Sequence, residues 1–206
     1  MSASAPRRHA TLTSWLIWTA GFISFPIAGI AAGAIAGPVN RPLAALVAGL
    51  VTGAVIGTGQ WLASRRRLDA SRWIPASTVG MGLGLLLGAT TVGFRTSLAA
   101  LALMGALTGL LLGVAQAFAL PPGTRHRWVW AVAMPVLWAL GWAVSTVVGI
   151  AVEQRFSIFG STGAVTFSAL SGILLQQLLP ARQTARPPVT DPTLAPHPAT
   201  ASKDMA

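Results

Sequence analysis

Apolar residues along the chain fall into six long blocks that are separated by short polar or basic segments. Each block holds about 20 mainly apolar residues, the length that an α-helix needs to cross the hydrocarbon core of a bilayer. The pattern therefore predicts an all-α polytopic membrane protein with six transmembrane helices. The blocks cover residues 14–37, 43–64, 73–94, 98–120, 128–152 and 157–179.

The second and fourth blocks share a repeated pattern, and the two copies lie 56 residues apart. The sixth block carries a weaker copy, which ends at Gln176 or, in a register one residue later, at Gln177. Odd blocks begin near tryptophan and even blocks end near glutamine. We therefore predict three helical hairpins, 14–64, 73–120 and 128–179, in a pseudo-threefold arrangement about the membrane normal.

Small residues recur at every fourth position of the repeated blocks and place one smooth stripe on each helix. Helices in lipid gain no hydrophobic free energy by associating, so close backbone approach must hold them together. We expect the stripes to be helix-packing surfaces, and a narrow solute path beside them is the alternative. The glycines concerned are Gly49, Gly53, Gly57, Gly105, Gly109 and Gly113, and a similar stripe in the first block holds Gly29, Gly33 and Gly37.

The repeats each end with an amide, and Gln60, Gln116 and Gln176 are the candidate polar layer of the bundle. A buried amide needs hydrogen-bond partners. The layer therefore either joins neighbouring helices or lines a small vestibule that faces the cytoplasm. Hydroxyl groups of the sixth block either line a polar path or bond to their own backbone carbonyls. They belong to Ser161, Thr162, Thr166, Ser168 and Ser171.

Charged residues make up only 9% of the chain, against about 25% in soluble domains. Eleven of the fourteen Lys and Arg residues lie in the terminal segments and in the loops after the second and fourth blocks; Arg41, Arg95 and Arg155 lie in the alternate loops. The positive-inside rule then predicts a multi-pass protein of the cytoplasmic membrane with both termini cytoplasmic. Such short basic clusters beside a bilayer are expected to contact lipid headgroups and not nucleic acid.

The chain ends lie outside the apolar blocks. Residues 1–13 are predicted to be a cytoplasmic segment, and residues 180–206, rich in Pro, Ala and Thr, a disordered cytoplasmic tail. The first block follows a pair of arginines, as in a signal peptide, but it is longer than a signal h-region. We expect it to be retained, so that residues 14–179 form the transmembrane bundle.

Groups for catalysis or metal binding are scarce. The chain has no cysteine, and its four acidic and three histidine residues lie in loops, tails or one predicted helix end. Neither paired carboxylates nor a histidine–carboxylate set with metal-ligand spacing occurs. Glu153 and Arg155 are either solvated loop charges or an outer gate. We predict no enzyme activity, no cofactor and no metal site.

Aromatic residues are distributed unevenly between the two predicted membrane edges. Tryptophans such as Trp73 and Trp130 cluster near the cytoplasmic edge, and Phe159 lies near the outer edge. We expect these side chains to be interfacial anchors. Trp138 and Trp142 lie one turn apart within the fifth block. They are predicted to pack or to face lipid, with an aromatic wall for a lipophilic ligand as the alternative.

The string Gly57-x-x-Gln60-Trp61-Leu62, followed by Arg65-Arg66 and by Trp73-Ile74-x-Ala76, resembles a pattern in small bacterial membrane proteins with several spans. In those proteins Gly-x-x-Gln-Trp, Arg-Arg and Trp recur in tandem hairpins. The resemblance is clearest over residues 49–88 and weaker over 105–145, where Ala117 and not tryptophan follows Gln116. It implies the six-span architecture and transfers no activity.

These patterns predict a non-enzymatic integral membrane protein that serves as an accessory or scaffold component of the cytoplasmic membrane. The alternative is a small permease or substrate-binding membrane subunit for a neutral or lipophilic solute. The expected partners are the lipid bilayer and either another membrane protein or a second copy of the chain. A continuous polar cavity between the hairpins would favour the permease, and a dry interior would favour the scaffold.

Overall fold

The computed structural model describes residues 5–149 and 157–179, and every regular element in these ranges is helical. α1 begins at Ala5, well before the predicted start at residue 14, and continues through a 3₁₀ turn (Gly21–Ile23) into α2. The helices are α1 (Ala5–Ala20), α2 (Ser24–Ala36), α3 (Pro42–Ala63), α4 (Ala70–Thr91), α5 (Leu98–Ala119), α6 (Arg127–Val147) and α7 (Ser161–Leu178).

Five helical segments in the described ranges are long and apolar enough to cross a membrane, and α1 and α2 together supply one of them. α7 is the shortest of the other helices, with 18 residues, and its hydroxyl and glutamine side chains make it less apolar. Large apolar side chains such as Ile30 and Val132 are 75% and 72% exposed, as lipid-facing positions require. The prediction of a helical membrane protein is therefore confirmed.

The helices pack in the order of the chain and close into a ring. The continuous α1–α2 helix contacts α3, each later helix contacts the next, and α7 returns to contact α1. Short turns join α3 to α4 and α5 to α6 at one end of the ring, which we call the inner end. The opposite, outer end carries the connections that follow α2, α4 and α6.

Helix backbones approach closely at the glycines of α3, α4 and α5. A Cβ atom added to Gly49 would lie 2.7 Å from the Met81 carbonyl oxygen on α4, and one at Gly109 would lie 2.5 Å from the Met134 carbonyl oxygen on α6. Gly53, Gly57, Gly105 and Gly113 are similarly close to the neighbouring helix. The first block differs, because Gly33 and Gly37 have no atom within 4 Å of such a Cβ.

Aromatic side chains fill the ring between its middle and its outer end. Phe159 lies 5.4 Å from Phe25, 5.0 Å from Trp138 and 6.0 Å from both Trp142 and Phe167, measured between ring centroids. Trp138 and Trp142 are 1% and 2% exposed, so they pack inside the bundle and do not face lipid. Phe159 is 2% exposed, and its predicted role as an interfacial anchor is wrong.

The segment before α7 is an irregular chain that enters the ring. The predicted sixth helix was to begin at residue 157, but α7 begins at Ser161, and residues 157–159 are buried without helical structure. The Ser157 hydroxyl shares a 2.9 Å hydrogen bond with the Thr52 hydroxyl, which lies roughly 15 Å along α3 from its outer end. Irregular backbone at such depth in a bilayer is tolerated only inside protein or beside water, and here protein surrounds it.

Candidate functional site

The inner half of the ring contains a hydrogen-bonded network of amide, indole and hydroxyl groups. The Oε1 atom of Gln60 on α3 accepts from the Trp73 indole N–H at 3.2 Å and from the Gln116 amide at 3.3 Å. Gln60 is 5% exposed and Trp73 is fully buried. The network therefore links α3, α4 and α5 inside the bundle.

Gln116 on α5 occupies the centre of this network. Its Nε2 atom donates to Gln60 and to the Ser77 hydroxyl, the latter at 2.9 Å, while its Oε1 atom accepts from the Trp130 indole N–H at 3.0 Å. The rings of Trp73 and Trp130 pack edge to face, with centroids 5.9 Å apart. Side chains from α3, α4, α5 and α6 thus meet inside the ring.

The two halves of the network form in the same way. In each, glutamine lies in the last turn of one helix and tryptophan lies in the first turn of the next, 13 residues later for Gln60 and 14 for Gln116. A short turn reverses the chain between them, so the amide and the indole meet at one depth. The bonded pairs therefore span α3–α4 and α5–α6, across the inner turns and not within the predicted hairpins.

Gln176 does not join this network. Its Nε2 atom is buried and has no hydrogen-bond partner among the described residues. Gln176 instead borders a cavity of about 20 Å³ beside Trp18 of α1. The corresponding tryptophans on α1 donate elsewhere: Trp15 to the Ala169 carbonyl at 2.9 Å and Trp18 to the Ser171 hydroxyl at 3.1 Å. Two of the three predicted amides therefore meet, and the third lies apart.

The indole groups were missed as members of the site. Trp73 and Trp130 are fully buried, so their expected role as interfacial anchors is wrong. The sequence places a tryptophan near a membrane edge but does not show whether its ring faces lipid or the interior of the bundle. The regular spacing between each glutamine and the following tryptophan was the one available signal for a pairing.

Hydroxyl groups elsewhere mostly bond to their own helix. Thr166 donates to the Thr162 carbonyl and Ser171 to the Ser168 carbonyl on α7, as one of the two alternatives for this helix proposed. Thr108 on α5 likewise donates to the Met104 carbonyl at 2.8 Å. These three hydroxyls therefore satisfy local backbone acceptors, whereas the buried Thr162 hydroxyl on α7 has no partner among the described residues.

The network can bind through hydrogen bonds but offers no group that changes protonation near neutral pH. Within the described ranges, His, Asp and Glu side chains do not gather in any group of three that could hold a metal ion. Glu153 and Arg155, the suggested outer gate, lie outside the described residues. The amide, indole and hydroxyl groups of the network therefore hold the helices together through hydrogen bonds.

The chain matches no protein-family model, and neither the curated proteins nor the solved structures contain a significant match to it.

Proposed function

We propose that this protein is a non-enzymatic integral membrane protein that acts as an accessory or scaffold component of the cytoplasmic membrane. It is built from three helical repeats, with both termini cytoplasmic. The observation that carries the proposal is the filled interior of the ring. Indoles and amides cross its inner half, and Phe159 packs against aromatic rings of several helices in the outer half.

A rigid membrane component needs a filled interior. A solute pathway instead needs open space. A pathway for a neutral solute requires polar groups with free hydrogen-bonding capacity along a continuous space. Gln60 and Gln116 instead bond to each other and to buried indoles, and Thr52 bonds to Ser157. Another membrane protein would then dock on the lipid-facing sides of the helices.

The experiment that tests this proposal is solute flux in liposomes that contain the purified full chain. We expect glycerol efflux, followed by light scattering, to match that of protein-free liposomes. Phe159→Ala should also leave the efflux at the protein-free level, because the amides and indoles of the inner half still fill the ring. Phe118→Ala makes the same chemical change at a residue that is 63% exposed, and it should leave the efflux unchanged. Glycerol efflux through the unmodified protein would refute the proposal.

A small permease for a neutral or lipophilic solute is the second candidate. The irregular segment at residues 157–160 favours it, because such segments in membrane proteins also line pathways. The cavity beside Gln176 lies near the opposite end of the ring, so opening of both features would create a route. This candidate would be favoured if the unmodified protein conducts glycerol, if Phe159→Ala changes the rate of efflux, and if Phe118→Ala does not.

A further inference from the structure

A basic cleft lies at the inner end of the ring, between the α3–α4 turn and the α5–α6 turn. It has a volume of about 320 Å³ and is lined by Arg66, Arg67, Asp69, Arg72 and the Pro121–Pro122 pair. Three guanidinium groups against one carboxylate make the lining predominantly basic. The cleft is therefore a concave, water-accessible and cationic surface.

We propose that this cleft binds the phosphate group of an anionic phospholipid. The proposal goes beyond the scaffold role and needs only that the ring crosses a membrane. α3 ends at Ala63, α4 begins at Ala70 and α5 ends at Ala119, so the cleft opens at the level where the membrane-spanning helices stop. Phospholipid headgroups occupy that level of a bilayer.

Arginine is suited to this ligand. Its planar guanidinium presents paired N–H donors that match two phosphate oxygens, and it stays charged at every physiological pH. The Arg72 side chain is 59% exposed and lies 4.0 Å from the Asp69 carboxylate, so its remaining donors are open to a ligand. The Arg66 guanidinium lies 5.9 Å from the ring centroid of Trp61, which holds this charge beside an interfacial aromatic residue.

Two arginines of the α3–α4 turn have a backbone conformation that glycine adopts with less strain. Arg65 and Arg66 both have left-handed backbone conformations, with φ of 55° and 61°. Helices often end on a single such residue, which is usually glycine, because other residues pay a steric cost there. Only Arg66 of this pair lines the cleft, and Arg65 borders the cavity beside Gln176.

Asp69 is the one group in the cleft that opposes an anion. The Ser71 hydroxyl and the Ser71 backbone N–H both donate to its carboxylate and lower the pKa of Asp69, so it is charged at neutral pH. Asp69 also caps the start of α4. Asparagine caps a helix equally well but is neutral, so Asp69→Asn removes the opposing charge and retains the cap.

The test is native mass spectrometry of the full chain in detergent, titrated with phosphatidylglycerol, with phosphatidylcholine or with inorganic phosphate. We expect phosphatidylglycerol to bind more tightly than phosphatidylcholine. Arg66→Gln and Arg72→Gln should each weaken its binding about fivefold, and Asp69→Asn should strengthen it several-fold. A misfolded protein would not give a gain. Arg125→Gln removes an exposed charge from the α5–α6 turn outside the cleft, and it should change binding less than twofold.

The titrations separate the two sources of phosphate. If inorganic phosphate binds with the same dependence on Arg66 and Arg72 while phosphatidylglycerol does not, the cleft is a phosphate site for a soluble ligand. If Arg125→Gln weakens binding as much as Arg72→Gln, general surface charge accounts for the affinity and the proposal is wrong. It is also wrong if neither phosphatidylglycerol nor phosphate binds in preference to phosphatidylcholine.

Discussion

Gln116 satisfies both ends of its amide inside the bundle. It donates to Gln60 and Ser77 and accepts from Trp130, and it is 1% exposed. Hydrogen bonds between helices in a membrane contribute about 0.6 kcal/mol each on average, but an orphaned buried partner costs about 1–3 kcal/mol. Removal of Gln116 would therefore be costly mainly through the partners that it leaves behind.

Gln116→Leu should lower the stability of the protein, and Gln176→Leu should not. Gln116→Leu orphans the Trp130 indole and removes a donor to Ser77, so we expect a loss of about 2–3 kcal/mol in the free energy of unfolding. Gln176→Leu removes a buried Nε2 atom that lacks a partner among the described residues, so stability should be unchanged or higher. Unfolding in mixed micelles of increasing SDS content measures both. Equal losses would show that Gln176 belongs to a network as Gln116 does.

At the level of the helices, the glycine stripe of α5 lets the α5 backbone contact the α6 backbone. A Cβ atom added at Gly109 would meet the Met134 carbonyl oxygen at 2.5 Å and its carbonyl carbon at 2.8 Å. Backbone atoms cannot rotate away as a flexible side chain can, so the helices themselves would have to separate. Close approach at this position therefore depends on the absence of a single methyl group.

Gly109→Ala should therefore destabilise the bundle, and Gly33→Ala should not. Overpacking of this kind costs about 1–3 kcal/mol. An alanine at Gly33 meets no atom within 4 Å and should gain up to about 1 kcal/mol from its higher helix propensity. Thermal unfolding of both variants in the same detergent compares them. A Gly109→Ala variant as stable as the parent would contradict tight α5–α6 packing.

Sequence patterns predicted the elements well wherever one long apolar run made one helix. They placed the ends of α3 and α5 to within one residue at Ala63 and Ala119, because Ser64 and arginines follow the first run and two prolines follow the second. They failed at residues 157–160, since an irregular segment buried in protein is as apolar as a helix. The division into three hairpins stays a prediction, and the Gln–Trp bonds that join helices across the inner turns were not predicted. Such contacts depend on tertiary structure that spacing alone does not specify.

The whole molecule is a ring with two chemically different ends. The α3–α4 turn at the inner end holds Arg65, Arg66 and Arg67, while the connections after α2 and α4 at the outer end hold one arginine each, Arg41 and Arg95. Basic residues near short loops favour retention on the cytoplasmic side. This charge asymmetry is the basis of the orientation that we propose, in which the inner end and both termini are cytoplasmic.

Single-cysteine labelling measures this orientation directly, because the natural chain has no cysteine that would react. Asn40 and Arg125 are both exposed and lie at opposite ends of the ring. In intact bacterial cells whose outer envelope admits a membrane-impermeant maleimide, we expect Asn40→Cys to be labelled at once and Arg125→Cys only after the cytoplasmic membrane is permeabilised. Ala45→Cys, at a fully buried position, should resist labelling in both conditions. The reverse pattern would place the basic cleft on the outer face, where the positive-inside rule does not account for its arginines.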